Sequence, residues 1–446
     1  MPLRLVLVRH GLSTFNLEHR IQGRDDLSAL APEGRDQALQ TGAALREVPV
    51  AALYSSPLGR ARDTAELLVR GAGMALSPQL DEDLLEVDLA PWSGLRRQEV
   101  RERYPEPARI WQEAPETLEL ERGDGRRFRP LPELMAQADR FLKRLLDRHA
   151  GALAAGSSEG VLVVGHNAIL RALVLRVLGL DAGGFRRLRM DNAAISVLNL
   201  SREEGANLEV QVESLNNSTH LGQALPPAQG RRLLLVRHGE TQWNREGRFQ
   251  GQIDIPLNER GLSQAAAARD FLAPVRIHRA YTSTMARPRQ TAEVILERHP
   301  GVPLTSTRGL VEIGHGRWEG CLEKEIADTW PALLTAWKQA PHTVTMPDGE
   351  TLQEVWDRSV STWDIIARSL AAEETALVVA HDAVNKTILC ALLGLSPAEI
   401  WMIKQGNGGV SVVDYPRGPA GKPVVSCLNL TGHLGGVLDR TAAGAL

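Results

Sequence analysis

Two stretches of the chain, LVRHGLSTFN (7–16) and LVRHGETQWN (235–244), set a histidine directly after an arginine at the end of a short apolar run. A second histidine ends a second apolar run in VLVVGH (161–166) and ALVVAH (376–381). Between the two histidines of each set lie a further arginine, Arg60 or Arg287, and a glutamate, Glu86 or Glu312. Two arginines point to a dianionic group such as phosphate, whose oxygens their planar forks bond bidentately. A histidine after a strand and beside an arginine can attack phosphorus. A second histidine can donate to phosphate oxygens as charge moves, and a glutamate can protonate a leaving alkoxide. The kit describes metal-free phosphoryl transfer through a phosphohistidine. The sequence holds no carboxylate cluster for magnesium, no Cys/His spacing for zinc and no GxxxxGK[ST] loop, so neither a metal nor a cofactor is expected.

The kit occurs twice because the chain is duplicated. YSSPLGRARDTAELL (54–68) returns as YTSTMARPRQTAEVI (281–295), and LLEVDLAPWSG (84–94) as LVEIGHGRWEG (310–320). The offset is 228 at the first histidine (238 − 10) and 215 at the second (381 − 166), so the first copy is longer between them. A period this long means a repeated domain rather than a solenoid. The expected organisation is a domain at 1–222, a linker at 223–230 within the Pro/Gly-rich GQALPPAQGRR, a second domain at 231–438 and a tail at 439–446. LRLVLV, VLVV, LLLV and ALVVA read as strands buried on both faces. They alternate with helical stretches such as PEGRDQALQTGAALREV, RARDTAELLVR and HNAILRALVLRVLG. This predicts an α/β class: two copies of a three-layer α/β/α domain around a mostly parallel sheet. Ligands of such sheets bind at the carboxyl ends of strands, where Arg9-His10, Ser55/Ser56 and Gly165-His166 are expected to converge.

Composition narrows the function classes. The 446 residues are 43% hydrophobic and 24% charged, as in ordinary globular proteins. Length alone, at about 150 residues per domain, suggests three domains; the repeat overrides it. A formal net charge of −3 disfavours a nucleic-acid or membrane-surface binder. Three cysteines without metal-ligand spacing, no signal-peptide pattern and no long apolar run suggest the cytoplasm.

These motifs, in this order and twice over, resemble the histidine phosphatase superfamily, also called phosphoglycerate mutase-like. The resemblance rests on RHG at 9–11 and 237–239, the SxxxRxRxTA-type context of Arg60 and Arg287, a Glu before a WxG turn, and strands ending GHN or AHD. It implies that His10 and His238 are the phosphorylated nucleophiles, that Glu86 and Glu312 are the general acid/bases, and that His166 and His381 complete the catalytic sets. It places Arg9, Asn16 and Arg60 in one phosphate pocket and Arg237, Asn244 and Arg287 in the other. Gln22-Gly23 and Gln250-Gly251 open a loop near the substrate. The first copy departs from the pattern: Leu12 stands where the second has Glu240, and GRDDLSALAPEG replaces GQIDIPLNERG. The stretches EVDLAPWSG and EIGHGRWEG are like the broad phosphatase branch and unlike the ERHYGxLxG of mutases.

The expected activity is therefore hydrolysis of small phosphorylated metabolites, of sugar phosphate, phosphoserine or α-ribazole phosphate type. The alternatives are a bisphosphoglycerate-dependent phosphoglycerate mutase, or one catalytic half beside a regulatory, binding half. Partners beyond small metabolites are not expected, although pairing of the two copies or assembly of several chains stays open. The extra residues of the first copy include RGDGRRFR (122–129), whose arginines are expected to favour substrates with a second anion. His220 and His433 read as structural, and His19, His149, His278, His299, His315 and His342 carry no functional argument.

Overall fold

The structure, a computed structural model, describes residues 2–154, 159–202, 205–222 and 225–441. Residues 223–224 of the expected linker and 442–446 of the expected tail lie outside the described residues. The chain divides into two compact units, Met1–Gln223 and Ala224–Leu446.

In the first unit, six strands run in the order Gln79–Leu80, Ala52–Ser55, Gly160–Gly165, Leu3–Arg9, Ile195–Ser201 and Glu209–Asn217. The first four are parallel; the last two continue the sheet antiparallel. The second unit repeats this with Leu304–Thr307, Arg279–Ser283, Thr375–Ala380, Arg231–Arg237, Val410–Tyr415 and Val424–Leu430. The apolar runs are central strands for a simple reason: Val161–Val164 and Leu233–Val236 have no exposed surface, so every side chain must find packing on one face or the other.

Helices Pro32–Ala44 and Gly59–Ala72 pack together, as do Pro130–Arg148 and Asn167–Val177. The chain steps outward along the sheet through the first pair and returns through Pro130–Arg148. Right-handed crossovers then put the two pairs on opposite faces. Glu259–Leu272 with Ala286–Leu296, and Leu352–Ser369 with Asp382–Leu393, do the same in the second unit.

One local device fixes the start of each pocket. A Cβ on Gly11 would lie 2.3 Å from the carbonyl oxygen of Gly34, and one on Gly239 would lie 2.3 Å from that of Gly261. Only glycine lets the chain after His10 or His238 pass so close to the first residues of the neighbouring helix. Among the described residues no helix is long and apolar enough to cross a membrane.

Candidate active site

In both units the histidines sit where parallel strands end. Arg9 is the last residue of its strand, and the backbone N–H of His10 donates to the carbonyl of Gly165 at 2.9 Å. His166 follows the neighbouring strand and caps the helix Asn167–Val177. The two rings meet edge to face with centroids 5.1 Å apart; His238 and His381 do so at 5.2 Å.

Hydrogen bonds assign the tautomer of the first histidine in each unit. His10 Nδ1 lies 2.8 Å from the carbonyl oxygen of Gly11, and His238 Nδ1 lies 2.7 Å from that of Gly239. A carbonyl only accepts, so each Nδ1 carries the proton and each Nε2 presents a lone pair. The second histidine is held the other way. His166 Nε2 meets Ser56 Oγ at 2.8 Å and His381 Nε2 meets Ser283 Oγ at 2.9 Å, while both Nδ1 atoms are buried without a partner. A serine hydroxyl can donate or accept; where it donates to Nε2, Nδ1 carries the proton and is the ring atom without a partner.

Burial pushes His10, His166, His238 and His381 well below the ordinary histidine value, and the neighbouring arginines push in the same direction. A neutral imidazole is the nucleophilic form. The arginines are buried too: Arg60 is 0% exposed and Arg287 1%. Arg60 donates to the carbonyls of Gly23 and Asp25 at 3.0 Å, and Arg287 to those of Gly251 and Ile253 at 2.8 and 3.1 Å. Each thereby ties the QG loop to the pocket. Arg287 Nε also reaches His238 Nε2 at 3.2 Å. Arg9 is anchored on Met190 O at 2.8 Å, and Arg237 on Gln405 O at 2.5 Å.

Asn16 and Asn244 form capping boxes with Ser13 and Thr241. Gln22 Oε1 accepts from Ser13 Oγ at 3.1 Å. Glu86 accepts from the amides of Ala168 and Ile169 at the start of a helix, a place that suits a carboxylate. Glu312 accepts from Ala383 N at 3.3 Å and Ile313 N at 2.9 Å. Burial, assisted by Asp382, raises its pKa above the usual carboxyl range.

In the second unit Arg237, His238, Asn244, Gln250, Gly251, Arg287 and Glu312 line one cavity, together with His315 and Asp382. His315, which carried no functional argument in the sequence, lies in this lining. It is fully buried, neither ring nitrogen has a hydrogen-bond partner, and it borders the cavity of His238, packed edge to face against Phe249 and Trp337. The sequence offered a signal, since His315 stands where the first copy has Leu89. Asn192 and Asn407 were also missed. Asn192 Nδ2 donates to the carbonyls of His10 and Gly11 and to Asn16 Oδ1; Asn407 Nδ2 bonds the carbonyl of His238 at 3.2 Å and Asn244 Oδ1 at 3.4 Å. Their offset, 407 − 192 = 215, equals that of the second histidines.

Three of the four arginines of 122–129 are paired with carboxylates. Arg122 pairs with Asp88 at 2.8 Å and Glu133 at 3.2 Å and covers the Phe128 ring. Arg126 pairs with Asp124 and Arg127 with Glu119, while Arg129 donates to Glu116 O. The structure thus removes the stated reason for a second anion in the first pocket. His220 bonds Thr41 Oγ1 at 2.9 Å, and His433 bonds Gly408 O at 3.0 Å and stacks on Phe271.

The histidine phosphatase superfamily (branch 1) matches residues 5–213 and again 233–429. The chain belongs to this superfamily, with its domain in tandem. It is 32% identical to 2-carboxy-D-arabinitol-1-phosphatase of Triticum aestivum, over 97% of this chain and 86% of that one. It is 33% identical to phosphoserine phosphatase 1 of Hydrogenobacter thermophilus, over 46% of this chain and 94% of that one. It is also 33% identical to 2,3-bisphosphoglycerate-dependent phosphoglycerate mutase 2 of Gloeobacter violaceus, over 42% of this chain and 91% of that one.

Proposed function

We propose that residues 1–222 and 231–438 are two phosphomonoester hydrolases acting on small phosphorylated metabolites, each through its own phosphohistidine. The observation that carries this reading is the opposite tethering of the two histidines: Nδ1 of His10 and His238 is held by a carbonyl, Nε2 of His166 and His381 by a serine. One ring then offers a lone pair and the other a proton to the same phosphate.

The steps follow. Arg9 and Arg60, or Arg237 and Arg287, bind the phosphate dianion, with Asn16 or Asn244 behind them. Nε2 of His10 or His238 attacks phosphorus and the P–O ester bond breaks. The leaving oxygen takes the proton of Glu86 or Glu312, while His166 or His381 donates to a phosphate oxygen. Water then attacks the phosphohistidine, the glutamate takes its proton, and the P–N bond breaks to release phosphate. The motifs after each glutamate favour water over a second hydroxyl as acceptor. Substrates of the carboxy-sugar phosphate, phosphoserine or sugar phosphate kind fit such a pocket, and the T. aestivum relative is named for a sugar-acid phosphate.

The steps above call on side chains of this chain alone. Among the described residues no group of three or more His, Cys, Asp or Glu could hold a metal ion. His10→Ala and His238→Ala should each remove one activity, and only the double variant should be inert. Rapid quenching with labelled substrate should trap a base-stable, acid-labile protein phosphate, and chelation should leave the rate unchanged. Loss of all turnover in either variant alone would overturn the two-site reading; magnesium-dependent recovery after chelation would overturn the metal-free one.

A further inference from the structure

The two pockets share their phosphate-binding groups and differ in what surrounds them. Asp382 follows His381 directly and opens the helix Asp382–Leu393. Its side chain is 8% exposed and lines the cavity of His238, Arg287 and Glu312. Oδ2 is engaged by Lys386 Nζ at 2.8 Å. Oδ1 lies 3.4 Å from Arg237 Nη1, too far for a good hydrogen bond, and is buried with no hydrogen-bond partner. A buried acceptor left unfilled is costly, and this one borders the space a substrate enters. His315, on the same cavity, is likewise unfilled at both ring nitrogens.

At the matching place the first unit has no carboxylate. Asn167 follows His166 and donates to Met190 O at 2.8 Å. Arg171 replaces Lys386 and covers the Phe185 ring, and Leu89 replaces His315. The second pocket therefore carries one more negative charge and two unfilled polar groups. Lys386 takes Oδ2, and Arg237 attracts Oδ1 from 3.4 Å without hydrogen-bonding it, so an acceptor position on Oδ1 stays open toward the cavity.

We propose that Asp382 selects the substrate of the second unit: Oδ1 accepts from a hydroxyl or ammonium group next to the phosphate and repels a second anion there. The substrates of this unit are then small phosphomonoesters bearing a hydrogen-bond donor close to the ester, while the first unit tolerates a carboxylate in that place. This rests on the phosphatase reading above. Two anions a few ångströms apart in a poorly solvated site repel strongly, even with Lys386 and Arg237 nearby, and the discrimination should be about tenfold or more.

Three esters of equal chain length isolate the effect: phosphoethanolamine, 2-hydroxyethyl phosphate and phosphoglycolate. In the full-length chain carrying His10→Ala, kcat/KM for the first two should exceed that for phosphoglycolate by about tenfold or more. Adding Asp382→Asn should shrink this gap to within about threefold, mainly through KM. The reciprocal change, Asn167→Asp in the His238→Ala chain, should lower phosphoglycolate turnover relative to the other two and keeps the test available if Asp382→Asn does not fold. Equal loss on all three esters, or no preference before substitution, would overturn the proposal. Should the unsubstituted protein hydrolyse none of these esters nor p-nitrophenyl phosphate, the phosphatase reading fails instead. Calorimetric binding of the same three esters then decides the charge preference by the same order.

Discussion

At the residue scale, the glutamates carry a sharp expectation. An alkoxide must be protonated as the P–O bond breaks, whereas nitrophenolate leaves unaided. Glu86→Gln or Glu312→Gln should therefore cost about 10²–10⁴-fold with an alkyl phosphate and far less with p-nitrophenyl phosphate, each measured with the other unit silenced. Equal losses on both substrates would mean that the glutamate positions the phosphate. Glu312 adds a pH signature. Burial, then Asp382, raises its pKa, so the proton it must donate is retained to higher pH than on an ordinary carboxyl. Turnover of an alkyl phosphate by the second unit should fall as pH rises through that value. Asp382→Asn removes the neighbouring charge and should move the fall to lower pH, which kcat/KM profiles would record. An unmoved profile would mean that Asp382 does not act on Glu312.

At the scale of elements, the site depends on a strand end and a helix start being brought close together. Gly11 and Gly239 permit this, and their N–H groups donate to Thr64 and Thr291 Oγ1 at 3.1 Å on the helices behind them. A methyl group there meets a backbone oxygen at 2.3 Å, and backbone cannot swing aside as a side chain can. Gly11→Ala or Gly239→Ala should cost about 1–3 kcal/mol, the usual range for overpacking. Each should lower the activity of its own unit more than its stability, because the residue displaced is the histidine proposed as the nucleophile. Thermal melts and turnover with the other unit silenced would check this; unchanged turnover would show that the close approach has no bearing on the nucleophile. The hairpin Leu120–Glu121 with Arg127–Phe128 gives the complementary lesson. Its arginines stand out in the sequence, yet most are neutralised by the carboxylates they touch, so their charge does not carry over to the pocket.

At the scale of the whole molecule, many histidines are buried uncharged. Burial lowers His220 and His433 to about 4 and His315 to about 3, and the four pocket histidines fall well below their usual value. An unfolded chain protonates these rings below pH 6.5; the folded one does not. Their contribution to stability is therefore complete above pH 6.5 and is lost as pH falls toward the folded values, by about 1.4 kcal/mol per pH unit for each ring. The melting temperature should already drop between pH 6.5 and 5, before most carboxylates titrate. His220→Gln and His433→Gln, outside the proposed chemistry, should each make that drop shallower. A flat melting temperature across this window would contradict the neutral burial of the rings.

The sequence by itself determined the duplicated domain, the α/β class and most of the residues that line the cavity of the second unit. It could do so because buried parallel strands write themselves as continuous apolar runs, and the residues just after them fall at one edge of the sheet. Repetition then singled out a few of the twelve histidines, although His220 and His433 recur as well and only pack. Only the tertiary structure decided which ring nitrogen of the second histidine is held and which is left without a partner, since Ser56 is 110 positions from His166 and Ser283 is 98 from His381. It likewise placed Asn192 behind His10, 182 residues away, put His315 in the second pocket, and left Asp382 with one oxygen unfilled. Hydrogen bonds and ion pairs act over a few ångströms between groups far apart in sequence, so which partners they join, and which atoms they leave free, emerges only once the chain has folded.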